Sequence, residues 1–198
     1  MHYIEGNVHY LNLRPAPMKD AIHVCALSAV DALIDAHRPS HLVTLINWET
    51  MIETPPQIAP QNHLKLGMND IAEPREGLVL AGNEQVESLL DFINGWDAAR
   101  AAPLLIHCWA GVSRSTAAAY VAVCALNPDI GEDELARRLR AASPTATPNR
   151  RIIALADEAL DRRGRMVAAI DGIGRGAMAF EGKPFTLPAR FAAARSNR

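Results

Sequence analysis

A chain of 198 residues with 20 Lys and Arg against 22 Asp and Glu has a formal net charge of −2, so no global charge argues for nucleic-acid or membrane binding. Hydrophobic residues at 49% and charged residues at 21% are ordinary globular values, and the length predicts a single domain over 1–198 with one core. The opening segment MHYIEGNVHYLNLRPAP lacks the basic flank and apolar run of a secretion signal, and no stretch approaches the ~18 apolar residues of a membrane span, so a cytoplasmic protein is expected. Three cysteines, Cys25, Cys108 and Cys124, form no CxxC pair and no cluster with histidines. Neither a disulfide framework nor a metal site is therefore expected.

In chain order, AIHVCAL (21–27) is a short apolar run that predicts a strand. Ser28, with Asp31 three residues on, reads as a helix start, and Val30, Leu33 and Ile34 recur at helical spacing until Arg38-Pro39. HLVTLIN (41–47) is β-branched and apolar, a second strand, and the prolines of ETPPQIAPQN make the following segment a loop. HLKLGM (63–68) alternates as a short strand and delivers the chain into NDIAEPREG. Asn83 is placed to cap a helix whose Val86, Leu89, Leu90, Ile93 and Trp96 share one face. Pro103 then starts the strand LLIH. STAAAYVAVCAL is apolar nearly all round, as suits a central buried helix, and Asn127-Pro128 stops it. Leu135 and Leu139 mark a helix around 132–142, and PTATPN precedes another bearing Ile152, Ile153, Leu155 and Leu160. Strands alternating with helices predict an α/β fold with a mostly parallel sheet covered on both faces. The core is expected over about 20–165, with one more helix and a tail over about 166–198.

The segment LLIHCWAGVSRSTAAAY (104–120) carries the chemistry. If Cys108 ends a buried strand and a helix begins near Arg114, the loop Trp109-Ala110-Gly111-Val112-Ser113 wraps around the helix N-terminus and its amides converge on one point. Such a cradle binds a tetrahedral oxyanion, and Gly111 permits the tight path. A thiol at a helix N-terminus beside a cation is activated as a thiolate nucleophile. Arg114 supplies planar bidentate hydrogen bonds to phosphoryl oxygens that lysine cannot reproduce.

HCWAGVSRS resembles the His-Cys-x5-Arg-Ser/Thr signature of the cysteine-dependent protein tyrosine phosphatase superfamily. That resemblance implies a dual-specificity-type phosphatase fold, with Cys108 as the nucleophile that forms a cysteinyl-phosphate and Arg114 as the phosphate clamp. It makes Ser115 the hydrogen-bond donor to the departing thiolate and His107 a residue that orients the loop. It also requires an aspartic acid on a separate upstream loop to protonate the leaving oxygen. Asp70 in GMNDIAEP meets that need directly after a strand end, and Glu73 is its rival. TPNRRIIALADEAL is similar to the Pro-Asn helix start of compact dual-specificity members, and Asn149 is then expected to cap that helix or brace the loop. The resemblance runs from the strand at 41 through the helix ending near 163 and is nearest to small bacterial members. No cofactor is implied. The implied partner is a phosphorylated protein or a small phosphate monoester, without nucleic acid or membrane.

Cys25 and Cys124 read as buried core residues; the resemblance also implies, from superfamily members that protect an oxidised nucleophile with a second thiol, a disulfide to Cys108, for which the sequence selects neither. The arginines from Arg137 to Arg165 read as solvated helix faces. Three competing functions stay open: the same chemistry on an inositol phosphate, phosphoinositide or RNA 5′ phosphate; a phosphate-binding module without turnover; and a rhodanese-type sulfurtransferase. The uncharged Trp109, Ala110, Val112 and Ser113 weigh against the first, and Ser115 with the upstream aspartate against the other two.

Overall fold

Four segments with enough apolar residues to be buried on both sides form parallel strands: β1 (Ala21–Ala26), β2 (His41–Ile46), β3 (His63–Gly67) and β4 (Leu104–Cys108). The computed structural model describes residues 19–191, so the opening segment read above and the end of the tail lie outside the described residues. A fifth strand, β5 (Phe185–Pro188), pairs antiparallel with β1 at one edge, giving the order β3-β2-β4-β1-β5. The register sets Ala26 and Leu45 beside Cys108, so the nucleophile candidate leaves the centre of the sheet with a strand on each side.

One face is covered by α1 (Val30–His37), which buries Val30 and Ile34 against Cys25, Leu42 and Leu105. The other carries α2 (Asn83–Ala99), α3 (Arg114–Leu126), α4 (Glu132–Ala142), α5 (Arg150–Ala159) and α6 (Arg165–Ile173), which share one larger core with Ile22, Val43, Leu45 and Ile106. Within it α3 is buried on all sides, including its polar first turn of Arg114, Ser115 and Thr116. Among the described residues no helix is long and apolar enough to cross a membrane.

The α/β architecture with a mostly parallel sheet is as the alternating pattern predicts, with four differences. Ser28 does not cap α1: Leu27–Ala29 form a 3-10 turn, and the Ser28 hydroxyl donates to Glu181 Oε1 at 2.5 Å. Gly82, not Asn83, precedes the first turn of α2, and its N–H is taken by the Gln85 side chain at 2.9 Å. Leu160 follows the last residue of α5 rather than lying within the helix. The segment after about 165 supplies the one further helix expected, α6, but its expected tail also supplies the edge strand β5, which carries the sheet beyond the core expected to end near 165.

Candidate active site

The loop 108–114 runs from the end of β4 to the first turn of α3, and four of its carbonyls are taken from outside. Trp109 O accepts from Leu27 N (3.2 Å), Ala110 O from Gly182 N (2.8 Å), Val112 O from Thr147 N (2.9 Å) and Ser113 O from Asn149 N (3.3 Å). With the carbonyls turned outward, the amides are left to face the inside of the turn, where the α3 N-terminus adds its positive dipole end. Gly111 makes this path possible: its φ is +68°, and a Cβ there would lie 2.7 Å from Ala26 N. Its own N–H donates to Cys108 Sγ at 3.3 Å, and Ser115 Oγ lies 3.1 Å from the same sulfur. A sulfur anion at this place would accept from both the amide and the hydroxyl.

Arg114 is buried at the start of α3, and its Nη1 donates to the Met68 carbonyl at 2.7 Å. That bond fixes the guanidinium plane. Its Nε is buried and has no hydrogen-bond partner among the described residues, which leaves a donor of the fork for an anion in the cradle. Met68 leads directly into Asn69-Asp70, so one backbone stretch both orients the arginine and delivers the carboxylate. Asp70 Oδ1 accepts from Ser113 Oγ (2.7 Å) and from Asn149 Nδ2 (2.8 Å). Asn149 caps α5, where its Oδ1 accepts from Arg151 N and Ile152 N, and its amide holds the Asp70 loop. It therefore caps and braces at once. Glu73 is exposed and makes no hydrogen bond or ion pair within the described residues. The structure thus links Cys108 with Gly111 and Ser115, and Asp70 with Ser113 and Asn149, while Arg114 is fastened beside Asp70 through Met68; among the described residues Glu73 bonds to none of them. Trp109 projects its side chain outward, half exposed.

A chain of side chains not anticipated from the sequence runs behind the nucleophile. His107 Nε2 bonds Thr44 Oγ1 (2.7 Å), which also bonds His63 Nε2 (2.8 Å), while His63 Nδ1 bonds Thr54 Oγ1 (2.9 Å). Burial lowers both His107 and His63 from 6.5 to about 4, so both rings are neutral at neutral pH. A hydroxyl has one proton, so Thr44 donates to one ring and accepts from the other, which couples their tautomers. His107 Nδ1 is buried and has no partner among the described residues. Thr44 and His63 could have been noticed as polar residues on otherwise apolar strands, but only the register brings them to one hydroxyl.

The other two thiols sit apart. Cys25 is in register with His107, so it points to the α1 face, opposite to Cys108. Burial pushes it up to about 12. Cys124 lies inside α3, raised to about 12 by the same cause. On the strand geometry, Cys25 is badly placed to bridge to Cys108.

No family model and no curated protein matches the chain. Solved structures do. DUSP15 superposes with a TM-score of 0.56 at 17% identity over 76% of this chain and 90% of its own. The Cydia pomonella PTP-2 phosphatase gives 0.55 at 19% identity over 71% and 90%, and human DUSP28 gives 0.53 at 17% over 72% and 94%. This chain has the fold of the dual-specificity and tyrosine phosphatases.

Proposed function

We propose that the protein is a phosphomonoesterase of the cysteine-dependent tyrosine phosphatase type, acting on phosphotyrosine and with a site open to dual specificity. The observation that carries this reading is the sulfur of Cys108, which takes a hydrogen bond from the Gly111 amide and lies 3.1 Å from the Ser115 hydroxyl inside a loop closed by Arg114. Fold likeness alone would not suffice, because a human tyrosine phosphatase-like serine/threonine/tyrosine-interacting protein shares the fold with a TM-score of 0.52.

In the first step the Cys108 thiolate attacks phosphorus in line with the ester oxygen, forming the S–P bond as the P–O bond breaks. Asp70, in its acid form, gives its proton to the leaving oxygen. Arg114 and the loop amides hold the charge on the equatorial oxygens. In the second step Asp70, now a carboxylate, takes a proton from water as the water oxygen attacks phosphorus. The S–P bond breaks, and the departing thiolate is stabilised by the Ser115 hydroxyl and the Gly111 amide. Asn149 and Ser113 keep the Asp70 carboxyl at the loop mouth, and the neutral His107 ring holds the loop without moving a proton.

The test is phosphate release from phenyl phosphate with chelator and reductant present, for the wild-type chain beside Cys108→Ser. Turnover in the wild type and none in the variant supports the reading. Absence of turnover in the wild type overturns it, and a phosphopeptide bound without hydrolysis would instead make the site a recognition module.

A further inference from the structure

Among the described residues, large apolar side chains are strongly exposed at six positions: Trp48, Leu78, Val79, Trp109, Met178 and Phe180. All six lie at the carboxyl edge of the sheet around the phosphate loop. Trp48 follows β2 and lies against Gly67, two residues before Asn69. Val79 exchanges bonds with Asn69, beside the candidate acid. Trp109 is in the loop itself. Met178 and Phe180, the two most exposed, ride on the strap 174–184 between α6 and β5.

That strap is fastened to the site. Gly182 N donates to Ala110 O (2.8 Å), Ala177 N to Pro144 O (2.9 Å) and Gly176 N to Thr147 Oγ1 (3.1 Å). Arg140 spreads its guanidinium over the carbonyls of Ala146, Ile173, Gly174 and Arg175. A Cβ on Gly182 would meet Gly111 O at 2.8 Å, so the close approach of strap to loop depends on that glycine. Between them lies a cavity of about 510 Å³, bounded by Asp70, Val112 and Ser113 on one side and by Arg175 and Met178 on the other.

Resting on the phosphatase reading above, we propose that Met178 and Phe180 are specificity-determining residues that grip an apolar side chain flanking the phosphorylated residue of a polypeptide substrate. The cavity runs from Asp70, which in that reading serves the ester oxygen, to Met178 and Ala179, with Phe180 next along the strap, so whatever is attached beyond that oxygen lies along the strap. Exposed apolar side chains gathered at one edge beside a concave polar site are the arrangement of a recognition surface. The charge pattern selects the occupant. The loop side chains are uncharged, so a second phosphate finds Arg175 as the only cation lining this cavity. Along these segments the exposed acids Glu49, Asp70, Glu73, Glu76 and Glu181 outnumber the exposed cations Arg75, Arg175 and Lys183, a balance that opposes an anionic lipid surface.

The experiment compares kcat/KM on two phosphotyrosine peptides, one flanked by Leu and Phe and one by Gly and Ser, within the full-length wild type and within Met178→Ser/Phe180→Ser. The ratio between peptides is expected to be about tenfold or more in the wild type and to fall towards one in the double variant. A wild-type ratio near one, or a ratio that survives the double substitution, overturns the proposal. Hydrolysis of a phosphoinositide in phosphatidylcholine vesicles is measured alongside; a loss in the double variant confined to vesicles also overturns it, because the strap then reads a lipid surface. Phenyl phosphate separates the two hypotheses. If the wild type does not hydrolyse it, the catalytic reading has failed, and equilibrium binding of the same two peptides still decides for or against the strap.

Discussion

Cys108 in the phosphate loop and the pair Cys25 and Cys124 in the regular elements are equally hidden, with 2%, 1% and 1% of their surfaces exposed. Their surroundings differ in kind. Cys25 lies among Val30, Ile34, Leu42 and Leu105, Cys124 lies within a buried helix, and burial pushes both thiols up to about 12. Cys108 instead receives the Gly111 amide at its sulfur, has the Ser115 hydroxyl 3.1 Å away, and precedes the N-terminus of α3. Burial alone makes Cys25 and Cys124 inert, whereas donors beside the sulfur are what the proposed role of Cys108 requires.

The sharpest way to break this contrast is chemical labelling. With iodoacetamide at pH 7 and the protein folded, one thiol per chain is expected to react. At about 12, Cys25 and Cys124 have on the order of one part in 10⁵ as thiolate. Peptide mass spectrometry should find the label on Cys108, with inorganic phosphate slowing it. Labelling of Cys25 or Cys124 at a similar rate would sink the comparison.

The clamp comes next in size. Arg114→Lys loses the planar fork and the bond that aligns it on Met68 O, and should lower kcat on phenyl phosphate by ~10³-fold or more. A loss below tenfold would mean that the loop amides alone carry the charge. Asp70→Asn should lower turnover of an ester with a poor leaving group by ~10²-fold, and by much less for one that departs without a proton. Glu73→Gln, on an exposed residue, tests the alternative. A larger loss there would move the acid to Glu73.

The residues that were legible beforehand are those whose role is local. Cys108, Gly111, Arg114 and Ser115 stand within one strand-loop-helix turn, and the strands β1 to β4 announce themselves by apolar runs between prolines and polar turns. What stayed hidden depends on pairing between distant segments. β5 is only four residues, and its partner β1 lies at the other end of the chain, so FTLP has no pattern of its own. The Thr44, His63 and Thr54 relay needs the register of three strands, and the strap needs the distant carbonyls that fasten it. Asn149 was half legible: Pro-Asn before a helix reads as a cap, whereas its hold on Asp70 is a tertiary contact.

The smallest effect expected concerns stability rather than turnover, and it tests the neutral side chains that back the loop. Burial is the first cause that lowers His23, His63 and His107 from 6.5 to about 4, with His37 adding to it at His23 and Lys65 at His63. The unfolded chain therefore binds protons at these sites in a pH range where the folded chain does not. Their contribution is fully present above pH ~6.5 and is lost as pH falls towards ~4, on the order of 1–3 kcal/mol for each ring. Urea unfolding followed from pH 7.5 to 5 should show that decline. Thr44→Val removes the shared hydroxyl while keeping the shape, leaving both rings short of a partner, and should lower stability by about 1–3 kcal/mol at pH 7.5. Thr44→Ser, which restores the hydroxyl, should recover most of it. Because burial is the leading cause, the slope with pH should persist in Thr44→Val. A flat profile in that variant would mean that the shared hydroxyl, rather than the apolar strands around it, keeps the rings neutral behind Cys108.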